Sequence, residues 1–387
     1  MEKTVIDFLE QIIKIKSYNL REKEKCAILI LNKLRSIGFI GELIYGFGAP
    51  IIFVNYNCCS NKNILFYSHY DIKHEGNIND WKVNPFKLNY DKNSNKIFAR
   101  GSGDAKGQIA ALIYGIENAI KRNKKLSYNI TLVIEGDEET GSLGLKNFCM
   151  NYLQDIIYKS IIVIDSHWLG EYPVIYTGSR GQQSINVYYN ICDMEENLHA
   201  GNYGGIYIGA ARKMINVLTL LLNEIELLFE KRNVSKLKHK NAVSLTHISS
   251  GDSKRSTIPK NAFAKLDIRF IDNSIPQQII CILEKFKKQY DLNYKIIQQE
   301  ESFYNKGDAS FINEISSIIK HTTKLSPYIE SYSGAYIPMK KLESIKGEKY
   351  VIPFAQADEH NHSPNENISL TNIEYGEKII EKLLQYK

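Results

Sequence analysis

Residues 129–142 read NITLVIEGDEETGS, an apolar, β-forming run that ends abruptly in acids. The apolar half has the composition of a strand buried on both faces. The acidic half sets Glu138 and Glu139 in one loop at that strand's carboxyl end. Working outward, helical periodicity marks 106–122 before it and 142–153 after it. A second apolar run, SIIVI at 160–164, leads into Asp165. Upstream lie PIIFVN at 50–55 and NILFY at 63–67, the latter running into Ser68-His69-Tyr70-Asp71. Two further helices are expected at 4–16 and 22–37, with Gly38 as the stop. Alternation of this kind predicts an α/β fold, a mixed sheet flanked by helices on both faces. His69, Glu138, Glu139 and Asp165 all fall at the carboxyl ends of expected strands, the edge where loops converge on a crevice.

The pattern changes near Gly178. QQSINVYYNI (182–191) and AFAKLDIRFI (262–271) alternate like strands with one wet face. Helices are expected at 206–230 and 275–289, and a strand at 292–298. This reads as an α+β unit at 180–298, inserted between two parts of a first domain, 1–179 and 299–387. The chain then returns with a helix at 309–324, a strand at 349–354, a loop holding His362, and a helix at 371–386.

At 387 residues, with 43% apolar and 24% charged residues, two globular domains are the natural expectation. The net charge of +6 is dispersed. Its one cluster, Lys231, Arg232, Lys236, Lys238 and Lys240, lacks interleaved aromatics and reads as a solvated loop, not a nucleic-acid surface. The six cysteines show no C-x-x-C pair or zinc-finger spacing. The amino-terminal residues have charges throughout and no apolar signal core, and no stretch approaches the ~18 apolar residues of a membrane span. A cytoplasmic protein without nucleic-acid or membrane partners is expected.

Taken singly, each polar segment has an ordinary reading. His69 can be a polar loop residue, Asp104 in RGSGDAKGQ (100–108) an N-capping residue of a Gly-rich turn, and Glu138-Glu139 an acidic surface turn. Taken together they supply imidazole nitrogens and carboxylate oxygens for two metal ions. In such sites the ions lie about 3.5–4 Å apart and share a bridging carboxylate. Asp71 is spaced to accept the second N–H of His69 and fix its tautomer. Of two adjacent glutamates, one can bind metal while the other serves as base. His360 competes with His362 for the last ligand position.

These motifs resemble the di-zinc peptidases and amidohydrolases that include carnosinase and related dipeptidases, aminoacylase and succinyl-diaminopimelate desuccinylase. The resemblance rests on WKVNPFKL (81–88), ARGSGDAKG (99–107), EGDEETGS (135–142), VIDSHWL (163–169), Arg180-Gly181, HAGNYGG (199–205) and HSPNE (362–366). It implies that Asp104 bridges two divalent ions, zinc in the first instance with manganese or cobalt also suited. His69 and Asp165 would complete one ion, and Glu139 and His362 the other. Glu138 would be the general base, and the Ser-Pro-Asn-Glu after His362 selects it over His360. The inserted unit would be a lid and dimerisation domain whose His199 stabilises the oxyanion from the partner subunit. Arg269 would pair with a substrate carboxylate, and Ser256 would keep a hydroxyl for substrate. Relatives commonly carry Arg-Glu-Gly-Gly-Ser-Ile-Pro where this chain has Tyr332-Ser333-Gly334-Ala335-Tyr336-Ile337-Pro338, which places Tyr336 at the substrate pocket and shifts specificity. The expected activity is hydrolysis of an amide bond in a dipeptide or small peptide by a homodimer. Asp165 favours that substrate class. N-acyl amino-acid deacylation, or a non-catalytic relative acting through its lid, are the alternatives.

Overall fold

A computed structural model describes residues 4–122, 125–232 and 240–385. Lys236 and Lys238 of the basic cluster lie outside the described residues. Two units are defined by internal contacts: Met1–Gly178, Tyr304–Ser333 and Ile337–Lys387 in the first, Ser179–Phe303 with Gly334–Tyr336 in the second.

The first unit is built on an eight-stranded sheet. Its strands are β1 (Ile40–Ile44), β2 (Ile51–Tyr56), β3 (Asn63–His69), β4 (Asn129–Glu135), β5 (Ile157–Val163), β6 (Val174–Tyr176), β7 (Tyr328–Glu330) and β8 (Lys346–Val351). They lie in the order β1-β2-β4-β3-β5-β8-β6-β7. The central β4, β3, β5 and β8 are parallel, whereas β1 and β2 join antiparallel, so the sheet is mixed. Among the described residues, six α-helices belong to this unit: α1 (Val5–Ile13), α2 (Leu20–Ser36), α3 (Gly107–Lys121), α4 (Leu145–Tyr152), α5 (Ala309–Thr323) and α6 (Leu370–Gln385).

Successive strand residues face opposite layers, and both layers here are apolar. Ile64, Phe66, Leu132, Ile134 and Ile162 pack with Leu9 of α1, Ile30 of α2, Leu112 of α3, Ile315 of α5 and Ile380 of α6. The alternate positions, Leu65, Tyr67, Val133, Ile161 and Val163, are equally buried on the other face. There Phe148 of α4 meets Phe53 edge-on, ring centroids 5.6 Å apart. This double burial is why the central strands read as continuous apolar runs. Local signals set the helix ends. Thr4 and Asp7 form a capping box at α1, Asn19 accepts from Glu22 N at α2, and Gly38, at φ +100°, follows the last turn of α2. Near the carboxyl terminus, Asn367–Ser369 pairs with Lys96–Phe98, which draws the chain after His362 against the Arg100–Asp104 turn.

The second unit has a four-stranded antiparallel sheet, in the order Ala242–Ser250, Asn261–Phe270, Gly181–Asn190, Leu292–Glu300. One face is covered by helices Ala210–Glu230 and Ile275–Tyr290. Their Met214, Leu221, Ile225, Ile279 and Leu283 bury against Ile185, Val187, Ala264 and Leu266. The long helix begins at Ala210, not at 206 as expected, because residues 204–209 carry three glycines and form a turn. The late strand of the first unit runs Lys346–Val351 and not 349–354. The sequence pattern also gave no sign of β1 or of Ala242–Ser250. The latter is an edge strand with almost every residue exposed, so it lacks an apolar alternation.

Candidate metal centre

His69 ends β3 with its side chain fully buried. Its Nε2 lies 3.0 Å from Asp104 Oδ1 and 3.7 Å from Asp165 Oδ1. Asp165 follows β5, the neighbour of β3, so parallel pairing of two central strands sets this approach. Asp104 arrives from the turn before α3. That turn needs Gly101, whose φ is +82°, and Gly103, where a Cβ would stand 2.4 Å from Glu359 Oε2. The other Asp104 oxygen, Oδ2, lies 3.1 Å from His362 Nε2, which is also 3.1 Å from Glu139 Oε2. Two groups of three donors therefore share Asp104: His69, Asp104 and Asp165, and Asp104, Glu139 and His362, with donor atoms of each group within 4.8 Å of one another. His360 is exposed and belongs to neither group.

Asp71 does more than its spacing suggested. Its Oδ1 is 3.3 Å from His69 Nδ1, and its two oxygens accept from Glu138 N (3.3 Å) and Glu139 N (3.1 Å). One carboxylate thus orients the imidazole and the two-glutamate loop together. The carboxylate of Glu138 makes no hydrogen bond or ion pair among the described residues. Burial, reinforced by Asp165, Glu139 and Asp104, pushes its carboxyl well above the usual range against the pull of His69. Burial opposes a charged His69, yet Asp104, Asp165 and Asp71 together hold its pKa well above the ordinary value. His362 is pushed up to about 10, as Asp104 and Glu139 outweigh burial. Burial would raise Asp104, but His362 and His69 hold it well below the carboxylate range.

These directions expose an excess of negative charge. Asp71, Asp104, Asp165, Glu138 and Glu139 crowd two imidazoles, with Lys73 Nζ 3.1 Å from Glu139 Oε2 and Lys23 Nζ 3.9 Å from Asp71 Oδ2 as nearby cations. Two nitrogen donors and several convergent carboxylates, buried at His69 and open at His362, fit divalent cations of the zinc type. The charge balance improves when such ions are present.

Three supporting residues carried no sequence signal of their own, although all sit inside stretches quoted above. Glu366 Oε1 accepts from Gly103 N (3.0 Å) and Asp104 N (3.1 Å). Its Oε2 takes Arg100 Nη1 at 2.6 Å, and the pair is buried. Gln108 donates to the Gly103 and Ser166 carbonyls, at 2.8 and 3.0 Å, tying the turn of Asp104 to the residue after Asp165.

The remaining expected site residues lie in the second unit. His199 and Ser256 are exposed. Arg269 is engaged two-pronged by Asp267, Nε to Oδ1 2.7 Å and Nη2 to Oδ2 3.2 Å. Tyr336 donates its hydroxyl to Glu300 Oε2 at 3.2 Å.

Residues 65–386 match Peptidase family M20/M25/M40. The chain belongs to that family and is a metallopeptidase. Among curated relatives, "Probable di- and tripeptidase DUG2" of Saccharomyces cerevisiae is 23% identical over 93% of this chain, which spans about half of that protein (47%). "Cys-Gly metallodipeptidase DUG1" of Candida albicans is 25% identical, over 98% of this chain and 94% of the relative. Among solved structures, the di-peptidase Dug1p of Saccharomyces cerevisiae superposes with a TM-score of 0.81 at 20% identity, covering 99% of this chain and 95% of that one. The family shares the fold described above, and its chemistry is metal-dependent hydrolysis of amide bonds.

Proposed function

We propose that this chain is a two-metal dipeptidase. The observation that carries the reading is the pair of three-donor groups sharing Asp104, with the Glu138 carboxylate beside them, free of hydrogen bonds among the described residues. His69 and Asp165 would hold one ion with Asp104, and His362 and Glu139 the other. Two divalent cations there, zinc before manganese or cobalt, would polarise the scissile carbonyl and acidify a water. Glu138 accepts the proton of that water and returns it to the leaving amine; its raised pKa suits a base that must also act as an acid. Asp71 orients His69 through Nδ1 and holds the Glu138-Glu139 loop by its amides. Glu366 anchors Asp104 through two backbone N–H groups.

To His199 we assign the role that the resemblance implies, hydrogen-bond donation to the oxyanion, and to Arg269, Ser256 and Tyr336 contacts with substrate. Arg269 would have to exchange Asp267 for a substrate carboxylate. We also propose a cytoplasmic homodimer formed through the second unit, a reading supported by exposed Leu245 and Ile248 on its edge strand. Light scattering that shows a monomer under assay conditions would count against the dimer.

The substrate class follows from the dipeptidases named above and is tested directly. A panel of dipeptides set against N-acetyl and N-succinyl amino acids should show metal-dependent turnover concentrated in the dipeptides. Turnover confined to the N-acyl compounds would make the enzyme a deacylase.

A further inference from the structure

Three lysines from distant parts of the first unit converge on the loop that carries Glu138 and Glu139. Lys73 reaches the Glu139 carboxylate and carbonyl, and Lys341 donates to the Gly141 carbonyl. Lys23, on α2, lies 2.7 Å from Asp137 Oδ1 and 3.9 Å from Asp71 Oδ2. It differs from Lys73 in being only 6% exposed. Its helix neighbours on the same inward face are Cys26, Ala27 and Ile30, so an apolar side chain would pack there without desolvating a charge.

The two acids at Lys23 explain a cation in this place. Asp71 is fully buried and touches His69 Nδ1 and the amides of Glu138 and Glu139. Asp137 begins the same loop and accepts from Ala49 N with its other oxygen. Lys23 is thus the common partner of the carboxylate that orients an imidazole donor and the carboxylate that roots the loop of the base.

We infer that Lys23 is a positioning residue for the metal centre: it fixes Asp71 and Asp137 relative to each other, and through them the donor geometry of His69 and Glu139. The inference rests on the assignment of those two residues as ligands. Groups that touch a metal ligand directly, as Asp71 touches His69, typically change affinity by about 10–100-fold when lost, and Lys23, one contact further out, is expected at the lower end of that range.

The test compares zinc affinity, measured by competition with a chromophoric chelator, in wild type, Asp137→Asn and the double variant Lys23→Met/Asp137→Asn. The double variant removes the Lys23–Asp137 pair and leaves Asp71 on its contacts with His69 and the Glu138 and Glu139 amides, so its melting temperature should stay near wild type. Asp137→Asn, whose amide oxygen can still accept from Lys23 and which leaves Lys23 beside Asp71, should bind zinc close to the wild-type value. The folded double variant should bind about 10-fold more weakly. A folded double variant with wild-type affinity, while wild type itself binds zinc, would overturn the role of Lys23 alone. A wild-type protein that takes up no zinc would overturn the ligand assignment and this inference with it.

Discussion

The two histidine-centred groups share Asp104 but are built in opposite ways. The first hangs on rigid elements: His69 ends β3, Asp165 follows the adjacent β5, and the imidazole is wholly buried. The second is assembled from loops. His362 sits at φ +57° with half its side chain exposed, and Glu139 belongs to a short turn after β4. Strand pairing makes the first group a property of the sheet. The second depends on long-range ties, above all Glu366 reaching the Gly103 and Asp104 amides. Affinity in such centres follows how well the donors are held before the ion arrives, so the buried group is expected to bind the tighter ion and the open group the more exchangeable one.

The largest effect is expected at the residue that belongs to neither group. Glu138→Gln should lower kcat about 1,000-fold, the range of a lost general base, with zinc content unchanged. A variant that keeps near wild-type kcat would remove Glu138 from the mechanism. Next comes the tie between the halves: Glu366→Gln strands a buried Arg100 and should cost about 3 kcal/mol or more of folding free energy in urea titrations. An unchanged midpoint would mean that the tail is held otherwise. The histidines then give the direct contrast. His69→Ala should lower both metal content and melting temperature, whereas His362→Ala should lose one ion, recover it at high zinc, and melt near wild type. Equal behaviour of the two variants would break the distinction. Smallest of all, Asn19→Ala at the cap of α2 should cost about 1 kcal/mol and leave zinc uptake untouched.

What the sequence made legible follows the same division. The run 129–135 matches β4 residue for residue, because a strand buried on both faces must be apolar throughout. His69, Asp104, Glu139, Asp165 and His362 were each placed by motif, and the structure brings their donor atoms together. The edge strands Ile40–Ile44 and Ala242–Ser250 were missed, since exposure removes the pattern that periodicity reads. Arg100–Glu366 and Lys23–Asp137 were invisible for another reason. A buried ion pair joins segments more than a hundred residues apart in sequence, and nothing local to either partner announces it.

The central claim is that two ions are held around Asp104 and are needed together. Protein stripped with a chelator and titrated with zinc, with bound metal and dipeptide hydrolysis read at each step, tests it most directly. The account predicts about two zinc ions per chain, the first tight and the second weaker, with turnover appearing as the second site fills. Dipeptide hydrolysis that persists in the stripped protein, or full turnover at a single ion per chain, would contradict it.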